Sequence, residues 1–188
     1  MAPDYFRPVV GWRTWLVVAT PVGPRLRSIV FGTDWPLGEA LPARCEFALR
    51  RPWTRPWHRV PVHEAPSDDC DCGIWAAKDI AYAMSFFHLY DDLLGQRSLH
   101  RVVGSVCLWG SVVEGSLGWR ATRAYPAHIY VPTHRENGRR VNAENIARGL
   151  ADYGVPVEIV GKVGERVGPA LAEIRQRERN RTGELSLP

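Results

Sequence analysis

The chain has 188 residues, 45% apolar and 23% charged, with a net charge of +4, which suits one domain large enough to bury a core and excludes a disordered or fibrous protein. No apolar run approaches the roughly 20 residues of a membrane-spanning helix, and Met1 to Arg7 lack the basic-then-apolar order of a secretory signal. A cytoplasmic protein with no membrane partner is the expectation.

Apart from Lys78 and Lys162 the basic residues are all arginines. Arginine grips phosphate bidentately and stacks on rings, although a GC-rich coding bias gives the same composition without any function. The eight tryptophans point more firmly to a packed core or a stacking surface.

In chain order, Pro8 to Val18 is rich in β-branched and aromatic residues and predicts a strand. Thr20-Pro21-Val22-Gly23-Pro24 is a turn, and Leu26 to Phe31 returns as the second strand of a hairpin. From Gly32 to Asp71 neither period is present, while prolines and tryptophans recur. So long an irregular stretch needs something to hold it. Ile74 to Leu94 has no proline and repeats Ile80, Ala83, Met84 and Phe87 at helical intervals, which predicts a buried central helix ended by Gly95.

Leu99 to Glu114 is a valine-rich strand whose Gly104 and Gly110 predict bulges or tight bends. Gly115 to Gly118 turns it into Trp119 to Tyr125, and Ile129 to Val131 adds a short strand. Asn142 caps a helix bearing Ile146 and Leu150 on one face, and Gly154 stops it. Val155 to Val160 is a last short strand, and the charged residues 170–181 are helical before a frayed tail.

Three of the four cysteines, Cys45, Cys70 and Cys72, gather with His63 at the end of the irregular stretch. These are the donors of a closed tetrahedral zinc site, and such a site would tie down the loop. Cys70-x-Cys72 is a less common spacing than a Cys-x-x-Cys knuckle. His58 competes with His63, and Cys107 is left over. Two alternatives stand beside the structural metal. The thiols can simply pack as apolar groups. Or Cys72, at the start of the expected helix, is a nucleophile with His63 as base and Asp68, Asp69 or Asp71 orienting it. A disulfide is disfavoured in a reducing compartment.

Cys70-Asp71-Cys72-Gly73-Ile74-Trp75-Ala76, Leu108-Trp109-Gly110 and Gly118-Trp119-Arg120-Ala121 together resemble a group of uncharacterised bacterial proteins that share a Cys-x-Cys-Gly-Ile-aromatic-Ala segment followed by Leu-Trp-Gly and Gly-Trp-Arg-Ala. The matching blocks span about residues 45–126, and where this chain has Trp75 the group more often has tyrosine. The resemblance implies that the blocks form one unit; it carries no activity, and no catalytic residue is transferred.

Two surfaces have the composition of a binding site. The segment from Arg50 to Arg59 interleaves Arg51, Trp53, Arg55 and Trp57 with prolines. On the strands, Trp109, Trp119, Arg120, Arg123 and Tyr125 become neighbours. Aromatics with arginines suit stacking on single-stranded nucleic acid or gripping a protein groove; the plain alternative is that the aromatics are core and the arginines solvated. No phosphate-loop, dinucleotide, zinc-protease or nucleophile-elbow motif is present.

The sequence thus predicts an α+β fold: a curled, bulged antiparallel sheet, as a small barrel or half-barrel, with a buried central helix. It assigns residues 1–169 to one domain, clamped by a structural Zn²⁺ on Cys45, His63, Cys70 and Cys72 at about residues 45–72. Residues 170–188 are a charged helix and tail. The expected role is a binding module whose partner is nucleic acid, contacted by Arg51, Trp53, Arg55, Trp57, Arg120 and Arg123. A protein partner for the tryptophan-rich loop, or a Cys72-dependent enzyme, are the alternatives.

Overall fold

The computed structural model describes residues 8–45, 63–86, 100–133 and 140–161, with Ile174 and Gln176 beyond them. Among these residues one seven-stranded sheet dominates. The first hairpin joins β1 (Val9–Thr20) to β2 (Gly23–Ser28), as the turn chemistry predicts. The two long strands β5 (His100–Glu114) and β6 (Gly118–Pro132) form the second hairpin, closed by Gly115 N–H donating to the Gly118 carbonyl at 2.8 Å. Ile129 to Val131 belongs to β6 rather than to a separate strand.

The pairing slips twice along β5 and β6. Near Ser105 the extra residue is Ala127 on β6, and near Gly110 it lies on β5. Each bulge sharpens the local twist, and the sheet coils until β1, β5, β6 and the short β4 (Ile74–Ala77) make a ring. The closure is slight: β4 meets β1 through one residue pair, Trp12 with Ala77. Gly11 allows it, since a Cβ there would lie 2.7 Å from that of Ala76.

The other edge of β6 takes three short strands in succession. β4 pairs along residues 118–121, β3 (Leu41–Pro42) along 123–124 and β7 (Val157–Val160) along 129–132. β7 runs parallel to β6, so the sheet is not wholly antiparallel.

Burial explains why both faces of β1 are apolar. Trp15 and Val17 enter the main core with Leu26, Leu108, Ile129 and Leu150. Leu16 and Val18 pack on the other face with Ile29. The main core is capped by α2 (Ala143–Leu150), started by the Asn142 side chain accepting from Asn145 N–H at 2.9 Å. Ile146 and Leu150 point inward, and Gly154 at φ +68° ends the helical stretch after a 3₁₀ turn, as expected. Ile174, fully buried, joins a second cluster with Ile80, Met84, Val103, Tyr130 and Val160.

The expected helix from Ile74 to Leu94 is corrected. Ile74–Ala77 is strand β4, and the helix among the described residues of this range is α1 (Ile80–Ser85), capped by Asp79 accepting from Ala81 N–H at 2.7 Å. Residues 87–94 lie outside the described residues. Among the described residues no buried central helix is seen; the short α1 buries Ile80, Ala83 and Met84, and Thr14 Oγ1 of β1 donates to the Ala83 carbonyl at 2.7 Å.

Nor does the first part of the irregular stretch depend on a metal. Trp35 is 2% exposed, packs edge-on against Trp15 at 5.5 Å and donates from Nε1 to Ser28 Oγ at 3.0 Å. The Tyr153 hydroxyl donates to the Trp35 carbonyl and accepts from Leu26 N–H, at 2.8 and 3.0 Å. One buried indole and one buried phenol fix the segment that carries no period.

Candidate metal centre

β3 and β4 are two parts of one strand. Ala43 N–H donates to the Thr122 carbonyl at 2.7 Å, and Ile74 pairs with Ala121, the next position on the same edge of β6. The chain leaves that edge after Ala43 and comes back at Ile74. Cys45 stands just past the exit, and Cys70 and Cys72 just before the return, so the sheet itself brings these thiols together.

With His63 they form a cluster whose four donor atoms lie within 4.8 Å of one another and which can hold a metal ion. The Cys45 and Cys70 sulfurs are 3.8 Å apart, and His63 Nε2 is 3.2 Å from Cys72 Sγ. A tetrahedron with sulfur arms of about 2.3 Å has edges of about 3.8 Å, so the first spacing fits a shared ion, whereas a disulfide needs about 2.05 Å. All four cysteines are free thiols. Cys45 and Cys72 are buried beside Ala65 and Ala43. The expected donors are thus the ones the fold assembles. His58 lies outside the described residues, and Cys107 stands apart on β5 opposite Tyr125.

Local geometry explains the Cys-x-Cys-Gly order. Cys70 N–H donates to the Ser67 carbonyl at 3.3 Å, which bends the loop back so that both thiols face inward. Gly73 then has φ +113°, and a Cβ on it would sit 3.0 Å from that of Pro66 and 3.1 Å from that of Arg120. Only glycine passes there. Burial pushes the Cys72 thiol up to about 11. At Cys70 burial also acts upward, but the Cys72 backbone N–H and the neighbouring Cys72, Cys45 and His63 side chains outweigh it and leave the thiol below its ordinary value. Crowded thiols of this kind ionise together only with a cation among them, which a soft divalent metal supplies.

Arg120, expected on a nucleic-acid surface, is turned onto this loop. Its Nη1 donates to the carbonyls of Ser67 at 3.0 Å, Cys72 at 3.1 Å and Cys70, while its guanidinium lies 5.7 Å from the Trp75 ring. It positions the loop that bears two of the thiols, a role its place in Gly-Trp-Arg-Ala did not reveal. Arg120→Met is expected to cost about 2 kcal/mol in urea unfolding and to weaken metal binding roughly tenfold or more in chelator competition. Because one nitrogen makes all three bonds, the three donors of an ammonium let Arg120→Lys keep most of both; a lysine variant as impaired as the methionine one would refute this role.

The remaining expected contacts separate. Arg123 is exposed on β6, in register with the half-buried Trp109. Trp119 and Tyr125 pack against the main core. Arg51, Trp53, Arg55 and Trp57 lie outside the described residues. The catalytic alternative loses its electrostatic support: Cys72 precedes a strand, not a helix, so no helix N-terminus acts on its thiol. Among the described residues no helix is long and apolar enough to cross a membrane. In comparisons with known proteins, the chain matches no family model, no curated protein and no solved structure.

Proposed function

We propose that the chain is a zinc-stabilised binding module in which a structural Zn²⁺ sits among Cys45, His63, Cys70 and Cys72. The observation that carries the reading is the convergence of these four donors at the point where one strand is interrupted and resumed. Thiolate and imidazole donors favour zinc over the hard cations that carboxylates hold. Zinc bonded to all four residues would join the two ends of the interruption and add no reactive group. The Leu108-Trp109-Gly110 and Gly118-Trp119-Arg120-Ala121 blocks fall on the facing strands β5 and β6 beside the cluster, which supports reading the resembling bacterial motifs as one unit. Elemental analysis of protein purified without added metal is expected to give about one zinc per chain; a content far below that would retire the centre.

Nucleic acid as the partner is a second reading, favoured by exposed Arg123 opposite Trp109 and by the Arg51, Trp53, Arg55, Trp57 segment between Cys45 and His63 in sequence. Gel shifts over a salt series decide it. Retardation that weakens with salt supports phosphate contact; none on single- or double-stranded DNA or RNA at low salt ends it and leaves a protein partner for that segment.

A further inference from the structure

Beside the metal loop, β1, the turn after β2 and α1 enclose a cavity of about 470 Å³, within the size range of small-molecule sites. Its walls are largely apolar and aromatic. Four of the large apolar side chains that stay exposed, Val30, Trp75, Tyr82 and Leu117, stand around it. Such a gathering marks a place that something covers.

Arg13 lines this cavity and also a neighbouring hollow of about 330 Å³. Its partners are all neutral: Nη1 donates to the Trp75 carbonyl, Nη2 to Ser28 Oγ at 3.1 Å, and the guanidinium lies 5.3 Å from the Trp35 ring. Its Nε is enclosed without a hydrogen bond. The ion pairs among the described residues lie elsewhere; Asp34, on the wall of the second hollow, is joined to Arg27 at 2.5 Å. Burial lowers the Arg13 pKa to about 10, which leaves it a cation at neutral pH. A half-buried charge whose partners are all neutral is costly, and an anion drawn from solution would offset it.

We propose that this cavity binds a small organic monocarboxylate, its charge set against Arg13 and its apolar body against Trp12, Ile29, Phe31, Tyr82 and Phe86. The charges on the wall narrow the class. Among the described residues Arg13 is the only basic one lining the cavity, and the Asp71 carboxylate stands on the same wall, so a single negative charge placed at Arg13 is tolerated where the second charge of a phosphate dianion would find only repulsion. The apolar walls demand a hydrocarbon body that acetate lacks. The inference stands on the cavity and Arg13, independently of what the metal is.

The test uses metal-loaded full-length protein, with 4-phenylbutanoate as probe and 4-phenylbutan-1-ol as its neutral twin. Calorimetry and tryptophan fluorescence are expected to show saturable one-to-one binding of the acid, with the alcohol about tenfold weaker or worse. Arg13→Gln should bring the acid down to the alcohol's affinity, and Arg13→Lys should recover part of the difference. Val30→Trp, at an exposed rim position, fills the mouth and should remove both. Equal affinity of acid and alcohol, no binding of the acid at millimolar concentration, or acid binding untouched by Val30→Trp would each overturn the proposal. Should Arg13→Gln not fold, the acid-to-alcohol ratio and Val30→Trp still decide.

Discussion

Chelating the proposed zinc is expected to lower the melting temperature by roughly 10 °C and to release the loop without dissolving the ring. The size follows from chain entropy. Joining Cys45 to Cys70 and Cys72 closes a loop whose cross-link, on disulfide arithmetic, contributes about 3.5 kcal/mol, and in a protein of this length each kcal/mol shifts the midpoint by about 2–4 °C. The location follows from packing. β1, β2, β5, β6 and α2 share a core of Trp15, Leu26, Leu108, Ile129 and Leu150 that includes none of the four ligands. Hydrogen exchange should therefore accelerate in peptides covering residues 41–45 and 63–77 while those from β5 and β6 stay protected. Cys70→Ser and Cys72→Ser should reproduce the pattern. Unchanged melting on complete metal removal would show that the thiols only pack, and simultaneous loss of protection everywhere would show that the ring itself needs the centre.

Gly104→Ala is expected to be more damaging than its size suggests, costing roughly 3 kcal/mol or more where overpacking generally costs about 1–3. A Cβ at this position would lie 1.9 Å from the His128 carbonyl oxygen and 3.1 Å from the Ile129 Cα. Those are backbone atoms of the paired strand, so no side chain can rotate aside. The close approach comes beside the bulge at Ala127, next to the Ser105 and His128 pair. Gly38→Ala is the control. Its φ is +68° with nothing within 4 Å of the added carbon, so it bears only left-handed strain of about 1–2 kcal/mol. Urea unfolding of the two variants checks the contrast; equal losses would mean that β5 and β6 can move apart freely.

The parts legible in the sequence are those set by local chemistry. Both hairpins, the Asn142 cap with its Gly154 stop, and the Cys/His donor set follow from turn residues, capping and ligand type. Ile74 to Ala77 misled because Ile74 and Trp75 are too short a run to signal a strand, while the two alanines after them favour a helix. What makes it a strand is the vacant place on β6 beside residues 118–121, and tertiary pairing outweighs propensity there. The fate of Arg120 was hidden for the same reason. Period two places it on a strand face but cannot say that three carbonyls from a distant loop converge on it. Trp35 likewise holds its segment by a non-local contact with Trp15.

Ala43 and Ile74 stand at successive positions along β6. The sheet therefore reads the same whatever chain is threaded between them, provided that the thiols remain at its two ends. Register on β6 is set by residues 41–43 and 74–77, on either side of the interruption. The interruption is in this sense a seam in the sheet, with a thiol standing at each of its two lips.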